Sequence, residues 1–461
     1  MAIKYACIVP HPPLIVPAVG KGEENKITAT VAAYKQVARE IARIKPETIV
    51  VASPHSVMYG DYIHISPGKS AKGAFDRFGA PQARFEKTYD TEFVSTLSDI
   101  AFDKQIHAGT LGERDPVLDH GTMVPLHFID QYYQDYQLVR VSISGLSFLE
   151  HYRFGMCVAE AAQKLRRKTV FVASGDLSHK LLDSGPYGFA AEGPAFDEQV
   201  TQAMRQGDFG CFFDFDEVFT EAAAECGLRS FIEMAGALDG LGVKPTVFSY
   251  EGPFGVGYGV CGYEIGAADE SRRFGDIFEQ KQAAKLAETK ANEDEYVKLA
   301  RLSLETYVKT GKRAKRPEGL PDEMLNSRAG VFVSLKKNGR LRGCIGTIEP
   351  TVPSIAEEIL RNAVSAGTGD PRFDVVTEDE LDSLVYSVDV LGEAEPVQSI
   401  DDLDVNRYGV IVTKGHKRGL LLPNLEGVNT PQEQVNIALQ KAGIPRNDKY
   451  TMERFEVVRH K

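Results

Sequence analysis

The stretch Thr169–His179, TVFVASGDLSH, decides how the chain folds. Its first part, Thr169–Ser174, is almost continuously apolar, as a strand is when both of its faces are covered. A turn follows, and the stretch ends on a histidine just past the strand. Two other runs share this construction: Tyr5–Val9 leads into His11 in CIVPHPPL, and Thr48–Ala52 leads into His55 in VVASPHS. Helical spacing recurs over Lys26–Ile44, Thr91–Ala101, Met123–Tyr133 and Phe148–Leu165, and Gln137–Ser142 reads as a further strand. Strands alternating with helices predict an α/β amino-terminal domain, a central sheet flanked by helices with substantial parallel pairing. The Gly-rich segment Glu251–Tyr263 closes this half as a strand with close backbone approaches.

A histidine at the carboxyl end of a strand in such a sheet lies at the crevice where these folds hold ligands. Imidazole is also the commonest metal ligand and the side chain most easily poised for proton transfer near neutrality. With His120 in LDHGTMVPL, four histidines of one half of the chain (His11, His55, His120 and His179) point to one site. A non-haem Fe(II) centre commonly uses two histidines and one carboxylate on one face. His11 and His55 suit the imidazole positions, because Pro10, Pro12, Pro13 and Pro54 restrict the backbone around them. Carboxylates are too numerous for spacing alone to choose the third ligand. His64, His107, His127 and His151 fit no motif and read as structural or surface residues, although His127 shares a helical face with His120. No HExxH occurs, which disfavours a zinc hydrolase.

At 461 residues the chain is too long for one core, and two or three domains are expected. An apolar share of 43% and a charged share of 26% are those of a globular protein. The net charge of −12 argues against a nucleic-acid partner, since the only basic patches are short, such as Lys309–Arg316. No apolar stretch is long enough for a bilayer, so no membrane partner is expected. The amino terminus lacks a secretion signal, and six scattered cysteines without a CxxC pair read as reduced thiols. Together these predict a cytoplasmic protein.

From Gly266 to Lys290 the sequence turns polar, charged and helix-prone, a linker of partly helical character. Domains are therefore expected at 1–265 and 291–461, with 266–290 between them. The second unit mixes helices (Glu295–Lys309, Thr351–Ser365, Pro431–Ala442) with strands (Gly330–Lys336, Leu384–Leu391, Thr451–Arg459), so α+β is expected there.

The motifs HPPL, SPH, DHG followed by PL, and SGDLSH resemble those of class III extradiol ring-cleavage dioxygenases of the LigB type and of their MEMO-like branch, over about Ala2–Ile265. The resemblance implies Fe(II), with zinc or copper as alternatives, and His11 and His55 as ligands. It implies Glu225 as the third ligand, since Ala224-Glu225 ahead of Gly236-Ala237-Leu238 looks similar to the family's pattern. In the MEMO-like branch a Cys-Gly stands there, and Cys226-Gly227 matches it, so Cys226 is the alternative. A thiolate shifts preference toward softer metals and a carboxylate toward Fe(II). His179 takes the family's acid/base role and His120 contacts oxygen or substrate, while Asp119 and Asp176 orient their neighbours. The implied reaction opens a catechol-type ring beside its diol with O₂. Enzymes of this type are often dimers or larger, so a homo-oligomer is expected.

Farther on, GRLRGCIGTIEP (Gly339–Pro350), DPRF (Asp370–Phe373) and GLLLP (Gly419–Pro423) resemble the AMMECR-type domain over about Asp294–His460. Its RGCIG element reads as a strand ending in a turn at Gly343 and Gly346 that presents Cys344, with Arg342, Arg372 and His416 around it. Two readings stand: a reactive thiol activated by cations, or a small core residue between glycines, the second being favoured. AMMECR-type and MEMO-like modules tend to occur together, often with a radical SAM protein. The alternative to ring cleavage is thus a metal-binding or interaction module in such a modification pathway.

Overall fold

The computed structural model describes residues 2–114, 117–337, 339–425 and 427–461. The chain divides into two units, residues 1–280 and 281–461. In the first, a mixed six-stranded sheet is built from β1 (Ile3–Val9), β2 (Thr48–Ser53), β3 (Gln137–Ser142), β4 (Thr169–Ser174), β5 (Leu241–Glu251) and β6 (Tyr258–Ala268). The strand order is β3-β2-β4-β1-β6-β5. The first four pair in parallel, and the β5–β6 hairpin joins antiparallel through β6 against β1.

Alternate residues of each central strand enter opposite cores, which explains their unbroken apolar character. Ala6, Ile8, Val50, Ala52, Phe171 and Ala173 face one core. Cys7, Val9, Ile49, Val51, Val170 and Val172 face the other. Helices cover both faces. They are α1 (Thr28–Ile44), α2 (Thr91–Asp103), α3 (His120–Ile129), α4 (Phe148–Leu165), α5 (Glu192–Gln206), α6 (Glu217–Ala223) and α7 (Leu228–Ala237). Within the segment expected as a linker, β6 continues to Ala268 and α8 spans Phe274–Ala291. Phe274 and Phe278 anchor the start of α8, the latter stacked on Phe213 at 4.5 Å.

The second unit holds α9 (Glu295–Thr310), β7 (Val331–Lys337), β8 (Arg340–Gly346), α10 (Ile355–Thr368), β9 (Leu384–Leu391), β10 (Glu395–Val397), β11 (Gly409–Lys414), β12 (Lys417–Leu421), α11 (Pro431–Ala442), β13 (Thr451–Phe455) and β14 (Val457–His460). These strands form two antiparallel four-stranded sheets, β8-β7-β9-β14 and β10-β13-β11-β12. The expected single strand Thr451–Arg459 is broken at Glu456, because its two halves pair in different sheets.

The expected turn around Cys344 is also corrected. Cys344 lies within β8, paired opposite Ser334 of β7. Its flanking glycines serve close packing: a Cβ on Gly343 would lie 2.1 Å from the Ala366 carbonyl oxygen, and one on Gly346 would lie 2.2 Å from the Phe332 ring. His416 stands apart in the exposed turn between β11 and β12, and Arg342 pairs with Glu380. Of the three expected neighbours, Arg372 touches Cys344, through Nη2 donating to its carbonyl oxygen at 3.3 Å. No helix among the described residues is long and apolar enough to cross a membrane.

α4 and α7 approach closely through reciprocal glycines. A Cβ on Gly155 would lie 1.9 Å from the Glu233 carbonyl oxygen, and one on Gly236 would lie 1.9 Å from that of Tyr152. Gly236→Ala is therefore expected to cost about 2 kcal/mol, overpacking outweighing alanine's better helix propensity. A denaturant midpoint unchanged from wild type would contradict this packing.

Candidate metal centre

Parallel register brings the chemistry together. Val9 of β1 pairs with Ser174 of β4, and Ser53 of β2 pairs with Ser142 of β3. The loops that leave these strand ends carry His11, His55 and the segment Gly175–His179 to the same edge of the sheet. The fourth histidine arrives on the first residue of α3, whose amino terminus is capped by Asp119 accepting from Thr122 N at 2.9 Å. Cys226 comes from the four-residue link between α6 and α7.

The Nε2 atoms of His11 and His55 lie 3.0 Å apart, and Cys226 Sγ lies 3.6 Å from His11 Nε2. All three ligand atoms fall within 4.8 Å of one another. A tetrahedral ion with ordinary bond lengths would separate two imidazole nitrogens by about 3.3 Å and a nitrogen from a thiolate sulfur by about 3.6 Å. The donor spacing thus fits one transition-metal ion touching all three residues.

Glu225 does not join them. Its Oε2 accepts from Leu228 N at 2.7 Å, which commits the carboxylate to the first turn of α7. Ala224 takes the left-handed conformation (φ 52°) just before it, and the chain then sends successive side chains in different directions. Among the described residues, the set assembled is two histidines and a cysteine rather than two histidines and a carboxylate.

His11 is prepared for coordination. Ser174 Oγ spends its single proton on the Gly121 carbonyl oxygen at 2.6 Å, so toward His11 Nδ1, 3.0 Å away, it can only accept. Nδ1 therefore carries the ring proton and Nε2 presents its lone pair to the site. Asp176 Oδ1 accepts from His11 N at 2.7 Å, and Asp176 N donates to Cys226 Sγ at 3.3 Å, so one residue braces two of the three donors. Asp119 Oδ1 also accepts from Ser53 Oγ at 2.5 Å, tying the start of α3 to the end of β2.

His120 and His179 flank this cluster. The His120 ring stacks on His55 at a centroid distance of 4.1 Å. His179 Nε2 lies 4.0 Å from Asp176 Oδ2 and has no hydrogen-bond partner. Phe78 meets His120 edge-on at 5.4 Å and Tyr187 stacks on His179 at 5.1 Å, so each of these two imidazoles has an aromatic neighbour. His127, by contrast, contacts Phe128.

Burial keeps these imidazoles neutral. His11 is held well below the usual imidazole value by burial and then by its neighbouring histidines. His120 and His179 are pushed down to about 4 by burial and then by His55. The Cys226 thiol is driven well above its usual value by burial, then by Asp176 and Glu225. Neutral imidazoles are ready ligands, whereas this thiol needs a cation beside it to lose its proton. Ser53, Ser174, Phe78 and Tyr187 went unnoticed in the sequence. The serines at least carry a signal, since each stands at the last position of a strand that precedes a site histidine.

Residues 5–261 match the family model described as the catalytic LigB subunit of aromatic ring-opening dioxygenase, and residues 297–460 match the AMMECR1 model. A Clostridium acetobutylicum protein, CA_C1420, is 44% identical over the full length of both chains. A Thermotoga maritima protein is 52% identical over 37% of this chain and 98% of its own. Among solved structures, the uncharacterised protein PH0010 of Pyrococcus horikoshii is similar at 33% identity and a TM-score of 0.34, over 36% of this chain and 88% of its own. The uncharacterised Escherichia coli protein JW3007 is similar at 16% identity and a TM-score of 0.37, over 57% of this chain and 99% of its own.

The Ser174 bond generates a prediction. Ser174→Ala frees His11 Nδ1 and should weaken metal affinity by about tenfold with the fold intact. Competition against a chromophoric chelator measures this, and an unchanged affinity would contradict the assigned ring orientation.

Proposed function

The chain belongs to the family of the catalytic LigB subunit of aromatic ring-opening dioxygenases, joined to an AMMECR1 domain, and from that premise we propose that its first unit is a metal centre of the MEMO-like kind, held by His11, His55 and Cys226. The observation that carries this reading is the paired fate of two neighbouring residues. Cys226 Sγ faces His11, while Glu225 caps a helix. Two imidazoles and a thiolate favour copper or zinc over the Fe(II) that a carboxylate set would select. Bound there, the ion would supply Lewis acidity or a one-electron couple.

The chain's own residues would do the rest. Ser174 and Asp176 hold His11 in its ligating tautomer and place. His179, with an unbonded buried Nε2, accepts or returns a proton at whatever group lies over the centre. His120, stacked on His55, offers a further imidazole, and Phe78 and Tyr187 pack against His120 and His179. On this reading the second unit and a radical SAM protein are the working partners, in a modification pathway rather than in catabolism of aromatic compounds.

Extradiol cleavage is the second reading, supported by the neutral His179 with its unpartnered Nε2. It would take Fe(II), a small aromatic diol and O₂, with His179 as acid/base and His120 against the oxygen or substrate.

Two experiments separate these. In protein purified without chelators, Cys226→Ala should lower metal affinity by at least about 100-fold. Glu225→Gln should keep the metal and cost about 1 kcal/mol of stability through a weaker cap. The opposite ranking in metal content would overturn the ligand set. Separately, protein reconstituted anaerobically with Fe(II) and given a panel of catechols should yield no yellow ring-opened product when air is admitted. Yellow absorbance that His179→Ala abolishes would establish the dioxygenase instead.

A further inference from the structure

Asp197 is a carboxylate only 2% exposed, on α5, away from the metal donors. Its Oδ1 accepts from Ser178 N at 2.7 Å and its Oδ2 accepts from Tyr250 Oη at 2.7 Å. Gly257 makes room for it, since a Cβ there would lie 2.0 Å from Oδ2. Gly257 also bonds both sides of Ser178: its N donates to the Ser178 carbonyl oxygen at 2.8 Å, and its carbonyl accepts from Leu177 N at 2.9 Å. A desolvated carboxylate bonded to a backbone N–H is a strong, directional restraint.

What it restrains is joined to the metal centre twice over. Ser178 Oγ donates to the Ala223 carbonyl oxygen at 2.8 Å, and His179 N donates to the same oxygen at 3.2 Å. Three residues after Ala223 stands Cys226, whose Sγ accepts from Asp176 N. The segments Gly175–His179 and Ala223–Gly227 are thus tied at both ends. Just beyond the Asp176–Cys226 tie their backbones touch, a Cβ on Gly175 lying 2.1 Å from Gly227 Cα. A shift of Ser178 must therefore move both the His179 ring and the Cys226 thiol.

We infer that Asp197, braced by Tyr250, is a positioning residue that sets the Cys226 donor and the His179 imidazole together, acting through Ser178 and the Ala223 carbonyl. The inference rests on the metal-centre reading above and adds to it a control point outside the ligand set. Asp197 is not among the metal donors, and its link to them runs through the backbone of Ser178.

Titration of the full chain with Co(II) tests it, reading metal affinity and the near-ultraviolet thiolate-to-cobalt band. Wild type should show the band; its absence would sink the metal-centre reading itself. Asp197→Ala should weaken Co(II) affinity by about tenfold and shift or weaken the band. Asp197→Asn should restore both, because its amide oxygen still accepts from Ser178 N and its amide nitrogen can donate to Tyr250. Val200→Ala, a fully buried change on the same helix, should lower stability while leaving the band in place. If Asp197→Ala fails to fold, Tyr250→Phe, at a residue 41% exposed, should move the band in the same direction to a smaller extent. A native band and native affinity in Asp197→Ala or in Tyr250→Phe would refute the positioning role.

Discussion

Everything at the site depends on parallel register at the carboxyl ends of β1, β2 and β4. Pairing Val9 with Ser174 and Ala52 with Ala173 brings three strand ends level, so residues more than a hundred positions apart leave the sheet together. A shift of one residue in any pair would turn that strand's side chains to the opposite core and carry its loop away from the others. The two cores are filled by different side chains, so a slipped strand would present the wrong volumes to both.

Much of this was legible in the sequence. Continuous apolar runs, each ending in a serine or valine and followed by a histidine, announced both the buried sheet and the crevice at its edge. What sequence could not settle was Glu225 against Cys226. Adjacent residues share every spacing argument, and the choice is made by a left-handed turn at Ala224 and by a helix amino terminus that needs an acceptor. Asp197 was hidden for a related reason. It lies on α5, outside every motif, and its importance comes from the residues bonded to its backbone partner.

The second unit shows where pattern and structure part. Glycines around Cys344 read as a turn, yet they are strand positions emptied of side chains so that α10 and Phe332 can approach. Ser334 Oγ donates to the Cys344 sulfur at 3.2 Å, and burial raises the thiol above its ordinary value. Asp370 accepts from Cys344 N at 2.9 Å and is forked by Arg372. That guanidinium is thereby committed to a structural clamp, and the environment suits a packed thiol better than a nucleophile.

The central claim is that a thiolate and two imidazoles share one ion. X-ray absorption at the metal edge of the full, metal-loaded chain tests it most directly. The account predicts a sulfur scatterer at about 2.3 Å together with nitrogen scatterers near 2.0–2.1 Å. A first shell of nitrogen and oxygen alone, with no sulfur, would contradict it.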